Sequence, residues 1–320
     1  MKILVIKLGA LGDMIMATAI LRQLSADYRE DELWLLTVPM FAPLFKDWPA
    51  LKVHTLPRAG IVATFRTLRW LRGQRFARIY DLQSNDRTRL WCMLSGAPVC
   101  VGNHLRYPYT HHPPEPYIGQ THAFDRINEI LVSGGHAAAA PRPYLPVSEL
   151  ARAHVQQWLA GYALGDRSFV LLHAGASRKH PAKRWPYYRE LARAIEGRAL
   201  RVVWLGGEED AELNRSLARE IGIDATGQFS VTELAELGRH ARFAVTNDSA
   251  PMHILSLAGI PIYGLFGPTD WRRTHALGQV SRVITLDCGV TRAACSPEAQ
   301  RLAAIPLARV LAKLHADALI

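Results

Sequence analysis

Between residues 244 and 270 the chain reads Ala-Val-Thr-Asn-Asp-Ser-Ala-Pro-Met-His, then an apolar helical stretch, a short strand and Phe-Gly-Pro-Thr-Asp. A strand running into a helix that starts at Asp248-Ser249 turns unpaired backbone N–H groups and the positive dipole end outward. Such a terminus binds phosphate. Here the amides of Ser249 and Ala250 are the candidates, with the Asp248 carboxylate beside them. A second segment has the same plan. Lys2-Ile3-Leu4-Val5-Ile6 reads as a buried strand and Leu8-Gly9-Ala10-Leu11-Gly12-Asp13 as the turn into a helix. Gly9 and Gly12 let the backbone pass close to a ligand, and Asp13 stands at the helix start with its carboxylate toward that ligand.

Strands and helices must alternate to hold these turns. Strand patterns at 2–7, 33–38, 52–56, 77–81 and 98–102 are interleaved with helical spacing at 13–25, 61–74, 85–95 and 121–133. That order predicts a doubly wound parallel sheet. Between Gly134 and Pro146, a Gly-Gly-His turn, alanines and three prolines cannot continue a helix and read as an interdomain linker. The alternation then resumes with helices at 148–161, 186–196, 209–221, 231–239 and 249–257. Strands fall at 168–173, 200–205, 223–226, 242–246, 260–265 and 281–286.

A chain of 320 residues exceeds what one core usually serves, and its 49% hydrophobic content supplies two. We therefore expect an N-terminal Rossmann-like domain over 1–145 and a second over 146–300, with a C-terminal segment 301–320. The amphipathic helix of that segment, 301–317, is free to pack back across the boundary. Two such domains facing each other create a cleft between the C-terminal ends of their sheets, where ligands bind.

The charge is less ordinary, with 38 Lys and Arg against 28 Asp and Glu for a net +10. Arg66, Arg69, Arg72, Arg75 and Arg78 recur every three residues along a helix and its exit. They form either a solvated stripe or a face for an anionic partner. No zinc-finger, RRM or KH signature accompanies them, so nucleic acid is not expected. The cysteines Cys92, Cys100, Cys288 and Cys295 form no CxxC pair, which fits a reducing compartment. Lys7 and Asp13 interrupt the first apolar run too early for a signal peptide, and no window reaches the ~18 apolar residues of a membrane span. The expectation is a soluble, cytoplasmic protein. Residues 103–120 lack periodicity, and a loop of that length is often a lid or acceptor site. Its His104, His111 and His112, with His122 just beyond, match no metal-ligand spacing, and no metal is assigned.

Four motifs together resemble a known family. Lys7-Leu8-Gly9-Ala10-Leu11-Gly12-Asp13 is similar to its opening turn, and His173-Ala174-Gly175-Ala176-Ser177 with Lys183-Arg184-Trp185-Pro186 resembles its phosphate-side signature. Asn247-Asp248-Ser249-Ala250-Pro251-Met252-His253 looks like its Asp-Ser/Thr-Gly-x-x-His motif, and Phe266-Gly267-Pro268-Thr269-Asp270 matches its Phe-Gly-Pro-Thr turn. The family is glycosyltransferase family 9, the ADP-heptose:lipopolysaccharide heptosyltransferases, and the resemblance implies the GT-B fold: two Rossmann-like, doubly wound parallel-sheet domains facing a cleft.

The resemblance implies an inverting, metal-independent transfer of heptose from ADP-heptose to an anionic lipopolysaccharide inner-core acceptor, with no cofactor, at the inner face of the inner membrane. Asp13 would take the acceptor's proton as general base. Ser177, Lys183 and the Ser249 and Ala250 amides would hold the diphosphate, whose charge grows in the transition state. Asp248 would orient the donor sugar, Asp210 would bind the ribose unless Glu209 moves in, and His253 would either contact phosphate or sit as a buried hydrogen-bonding histidine. Each has an ordinary reading too: Asp248 as a helix N-cap, Lys183 as a surface lysine, Asp13 as an acid at a helix start, Trp185 as packing. The chain departs from the family in carrying Ala250 for glycine, Asp210 for glutamate, and few C-terminal cysteines. A nucleotide-sugar epimerase or a non-catalytic nucleotide-sugar-binding protein remains an alternative; a nicotinamide dehydrogenase would need a GxGxxG spacing that Leu8-Gly9-Ala10-Leu11-Gly12 lacks.

Overall fold

Every residue of Ile3 to Ile6 is buried, so the strand β1 (Lys2–Ile6) is covered on both faces, as a central parallel strand requires. In the computed structural model β1 pairs in parallel with β2 (Glu32–Thr37) and β4 (Arg78–Asp81), and β3 (Leu51–Thr55) and β5 (Val99–Gly102) complete the order β3-β2-β1-β4-β5. The model describes residues 1–56, 61–115, 121–176, 183–267, 269–286 and 301–320, without the side chains of 61–63. The helices of this first unit are α1 (Leu11–Asp27), α2 (Ile61–Gln74), α3 (Asp86–Ser95) and α4 (Ala123–Ser133). The strand order reverses between β1 and β4. Ligands of such sheets gather at the carboxyl ends of those two strands.

The chain divides into Met1–Pro146 and Val147–Ile320. The Pro- and Ala-rich stretch before the division, expected as a linker, is fastened to the first unit. His136 Nδ1 lies 2.6 Å from Asp27 Oδ2, the Ala139 amide donates to Asn128, and the Tyr144 amide donates to Thr18 Oγ1.

The second unit holds α5 (Glu149–Gly161), β6 (Phe169–His173), α6 (Tyr188–Glu196), β7 (Arg201–Trp204), α7 (Ala211–Ala218), β8 (Ile223–Asp224), α8 (Val231–His240), β9 (Ala244–Asn247), α9 (Ala250–Ser256), β10 (Ile262–Phe266), α10 (Trp271–Thr274), β11 (Val283–Thr285) and α11 (Leu307–Ala316). Its sheet runs β11-β10-β9-β6-β7-β8, every pairing parallel. Along β6, Val170 and Leu172 enter one core and Phe169 and Leu171 the other, because successive side chains point to opposite faces. The reversal of strand order here lies between β6 and β9.

Several boundaries differ from the pattern reading. The stretch 209–221 is a 3-10 turn at Glu208–Asp210 followed by α7, and the final segment is a 3-10 turn at Leu302–Ala304 followed by α11, with Pro306 at the junction. The 3-10 stretch Pro39–Phe45 went unread because its two prolines signal a loop. The last helix, expected to be free to cross the boundary, buries Val310 and Leu314 in the core of the second unit, and Trp185 Nε1 donates to Ile305 O at 2.8 Å just before it. Arg66, Arg69, Arg72 and Arg75 are exposed, but Arg78 has left the stripe. At the start of β4 its Nη1 donates to Tyr28, Tyr80 and Gly134 O.

Candidate functional site

In the first unit Asp13 sits in the first turn of α1, where the dipole favours an anion. The β1-α1 turn is held by Leu8, whose amide donates to Gln83 Oε1 at 2.9 Å. A Cβ on Gly9 would stand 3.0 Å from Asp13 Oδ2, so glycine allows the carboxylate to fold over the turn. Gly12 is the second residue of the helix. Directly after β1, Lys7 is buried, its Nζ 3.4 Å from Leu82 O and 3.8 Å from Asp13 Oδ2. Burial pushes its ammonium below the ordinary lysine range, and the Asp13 charge opposes that shift.

At the end of β4, Asp81 is fully buried and accepts from Tyr109 at 2.6 Å and from the Ser84 amide. Desolvation pushes its carboxyl up, and these hydrogen bonds pull it back. Tyr109 belongs to the unpatterned loop and packs where a Gly102 side chain would otherwise be, thereby pinning part of that loop beside the site.

In the second unit the expected donor residues gather around a cavity of about 440 Å³ at the β6/β9 reversal. Lys183, Asp210, Asp248, Ser249 and Ala250 line it, joined by His173, Ala176, Gly206, Gly207 and Glu209. Phe229, Val231, Leu234, Pro251 and Ile254 make it apolar elsewhere. Asn247, buried at the end of β9, sets the geometry. Its Nδ2 donates to Ala174 O at 3.2 Å and Gly175 O at 2.8 Å, and Tyr188 donates to its Oδ1.

Asp248 does not cap the helix. The cap position is Ser249, extended in conformation and making no capping bond, while Asp248 Oδ2 accepts from Lys183 Nζ at 2.7 Å. Both partners are shielded, with side chains 19% and 10% exposed. Ala250 opens α9 with no positive φ, so its methyl group costs no backbone strain. Pro251 has no N–H, which leaves the Ser249 and Ala250 amides as the first available donors of this terminus.

Asp210 and Glu209 part company. Asp210 is buried, 3.3 Å from His173 Nε2, in the space a Gly175 side chain would occupy; Glu209 is exposed at the cavity wall. His253 is buried on α9 and does not line the cavity. Ser177 and Pro268 lie outside the described residues. Trp185 is buried packing, against Tyr187 and Tyr188. Among the described residues no group of three or more His, Cys, Asp or Glu gathers as a metal site, and no helix is long and apolar enough to cross a membrane.

Lys7 and His173 were passed over in the sequence as motif lettering. The signal was there: each stands at the carboxyl end of an unbroken apolar run, Ile3–Ile6 and Phe169–Leu172, where a titratable side chain has no packing reason to be.

Two doubly wound parallel sheets, with a nucleotide-sized cavity at the strand reversal of the second, define a protein of the GT-B class. The match of the family model "Glycosyltransferase family 9 (heptosyltransferase)" over residues 65–302 makes the relationship specific: the chain belongs to that family and is a glycosyltransferase. Lipopolysaccharide heptosyltransferase 2 of Escherichia coli strain K12 is 25% identical over 345 aligned positions, covering 99% of this chain and 98% of its own. Among solved structures, a family 9 glycosyl transferase from Veillonella parvula superposes with a TM-score of 0.81 at 21% identity, covering 98% and 96% of the two chains. The E. coli ADP-heptose lipopolysaccharide heptosyltransferase II follows at 0.75 and 25%, covering 99% and 98%.

Proposed function

We propose that this glycosyltransferase moves heptose from ADP-heptose to a lipopolysaccharide inner-core acceptor, inverting the anomeric carbon without a metal. The observation that carries the reading is the Lys183–Asp248 pair at 2.7 Å beside the N-terminus of α9, in a cavity of nucleotide size within a heptosyltransferase family member. The names of its relatives, lipopolysaccharide heptosyltransferase 2 and ADP-heptose heptosyltransferase II of E. coli, supply the sugar, nucleobase and acceptor.

In this reading the apolar wall of Phe229, Val231, Leu234 and Ile254 takes the adenine. Exposed Glu209, rather than buried Asp210, reaches the ribose. Before donor binds, Asp248 neutralises Lys183. When the diphosphate enters, the ammonium is shared, and the freed carboxylate oxygen accepts from donor sugar hydroxyls. As the glycosidic bond breaks, the charge growing on the diphosphate is met by Lys183 and the Ser249 and Ala250 amides, already aimed and paying no reorganisation. Ser177 joins the phosphate side, and His253, buried on α9 outside the cavity lining, takes the structural rather than the phosphate role. Asp13, 38% exposed, takes the acceptor's proton, its carboxylate steadied by Lys7. Gly9 and Gly12 leave room for the acceptor at this turn. The exposed Arg66, Arg69, Arg72 and Arg75 face the anionic acceptor and the inner leaflet that carries it.

The test is a thermal-shift series with ADP, GDP, UDP, dTDP and NADH, followed by turnover with ADP-heptose. ADP at about 100 times its dissociation constant adds roughly 2.7 kcal/mol, an easily seen shift. Selective stabilisation by ADP and acceptor-dependent ADP release are expected. Stabilisation by UDP or NADH alone, or acceptor-independent conversion of a UDP-sugar, would replace this reading with a dehydrogenase or an epimerase; donor binding without turnover would leave a binding protein.

A further inference from the structure

His173 has no part in the chemistry above, yet both of its ring nitrogens are committed. Nε2 lies 3.3 Å from Asp210 Oδ2, and Nδ1 lies 3.0 Å from Ser249 Oγ. The ring is buried at the end of β6 and lines the cavity with both partners. The order hydroxyl, imidazole, carboxylate resembles a hydrolase triad, but the ring is reversed. In those triads Nε2 faces the hydroxyl, whereas here Nδ1 does.

The charges around the cavity give this chain of contacts a purpose. Its described wall carries the carboxylates of Glu209, Asp210 and Asp248 against one ammonium, Lys183. Arg184 stands 4.0 Å from Asp210 Oδ1, and on α9 His253 is buried outside the lining. A diphosphate brings further negative charge to these three carboxylates. Among the described residues of this wall, His173 carries a ring that can take up a proton.

Ser249 transmits the change. Its single hydroxyl proton has three places to go: His173 Nδ1, Asn247 O at 3.2 Å, or the cavity. With Asp210 accepting from Nε2–H, a neutral ring leaves Nδ1 as an acceptor that claims the serine proton, and the serine lone pairs then oppose a phosphate oxygen. A protonated ring donates from Nδ1 to Oγ and releases the serine proton toward the ligand.

We infer that His173, held by Asp210, takes up a proton from solvent when a nucleoside diphosphate enters the cavity and passes its effect to the ligand through Ser249. The inference rests on the donor-site reading above. Proton and diphosphate binding are then reciprocal. The sign follows: because binding takes up a proton, ADP binds more tightly as pH falls, with a limiting dependence of about tenfold per pH unit for one full proton. When ADP leaves, the proton returns to solvent.

Calorimetric titration of ADP into the full-length protein at pH 7.5, in two buffers of different ionisation enthalpy, measures protons taken up per ADP bound. Wild type is expected to exceed His173→Gln, the difference cancelling the nucleotide's own titration. Across the same pH series the affinity of wild type should weaken with the slope above, while that of His173→Gln changes less than about twofold beyond the nucleotide's own dependence. Ser249→Ala, at a half-exposed position that makes no capping bond, keeps the measurement possible should the histidine variant fail to fold, and is expected to lose most of the excess uptake. Equal uptake in wild type and both variants would assign any proton to another group such as His253 and overturn the inference while leaving the donor site standing. Absence of ADP binding to wild type would overturn both.

Discussion

In the first unit the strand β1 hands a buried Lys7 to within 3.8 Å of Asp13, a neighbour on the very next helix. In the second, β9 hands over Asp248, and the ammonium that meets it at 2.7 Å comes from Lys183, 65 residues earlier in the chain. The scaffold is the same strand-turn-helix, but the burdens are inverted. The cation of the first pair is buried and its carboxylate stays 38% exposed, whereas both members of the second are shielded. A loose pair with an open carboxylate leaves a base free to accept a proton; a tight, half-desolvated pair holds charge ready for an anion.

The sharpest break of this contrast is Asp13→Asn. Turnover should fall by about 10²–10⁴-fold, the usual worth of a general base, while the ADP-induced thermal shift, which the proposed donor site assigns to the second unit, stays at the wild-type value. Full turnover in the variant would remove Asp13 from the mechanism.

Lys183→Ala should act the other way round, weakening ADP binding by about 10- to 100-fold, since a hydrogen bond to a charged group contributes roughly 1.5–3 kcal/mol. Combined with Asp248→Asn, the two effects should be strongly non-additive because each carboxylate and ammonium answers for the other. Additive losses would mean that the pair seen here is not the unit that meets the diphosphate.

Lys7→Met sharpens the comparison through pH. Burial holds the Lys7 ammonium below its ordinary value of 10.5. Between its folded pKa and that value the unfolded chain binds the extra proton, so wild-type stability rises with pH in that window. Below the folded pKa the full penalty of the buried charge remains. With the buried charge gone and Asp13 left partly in solvent, the methionine variant should be more stable than wild type at neutral pH, with the advantage shrinking as pH climbs toward 10.5. Its turnover should drop less than that of Asp13→Asn. Urea denaturation at pH 7 and pH 9.5 would expose an opposite trend.

Ala250→Gly should do least. The position has no positive φ, so restoring the family's glycine should change ADP affinity by less than about threefold and cost at most ~1 kcal/mol of helix stability. A large gain in affinity would show that the methyl group obstructs the phosphate.

The alternation of strands and helices was legible because fully buried parallel strands are unbroken apolar runs and helix starts carry their own markers. The runs at Ile3–Ile6 and Phe169–Leu172 announce themselves in this way. Harder to read were segments with conflicting local signals, such as Pro39–Phe45, where prolines hide a 3-10 stretch, and Arg78, which continues a periodic stripe in sequence but belongs to a strand. The residues proposed to hold the donor stand in short motifs, but the contacts of two of them could not be read there. Asp248 pairs with Lys183 instead of capping α9, and Asp210 turns beneath His173 while Glu209 faces the cavity.

By itself the sequence determined the class of both sheets, the two strand-turn-helix segments, and the family, since each is written in local spacing and short motifs. Only the tertiary structure decided which charges meet. Lys183 finds Asp248, and His173 links Asp210 to Ser249, because β6, β7 and β9 lie side by side in the sheet. Side-chain partners drawn from strands that are neighbours in space and distant in sequence leave no periodic trace, for their distance is set by sheet register and core packing.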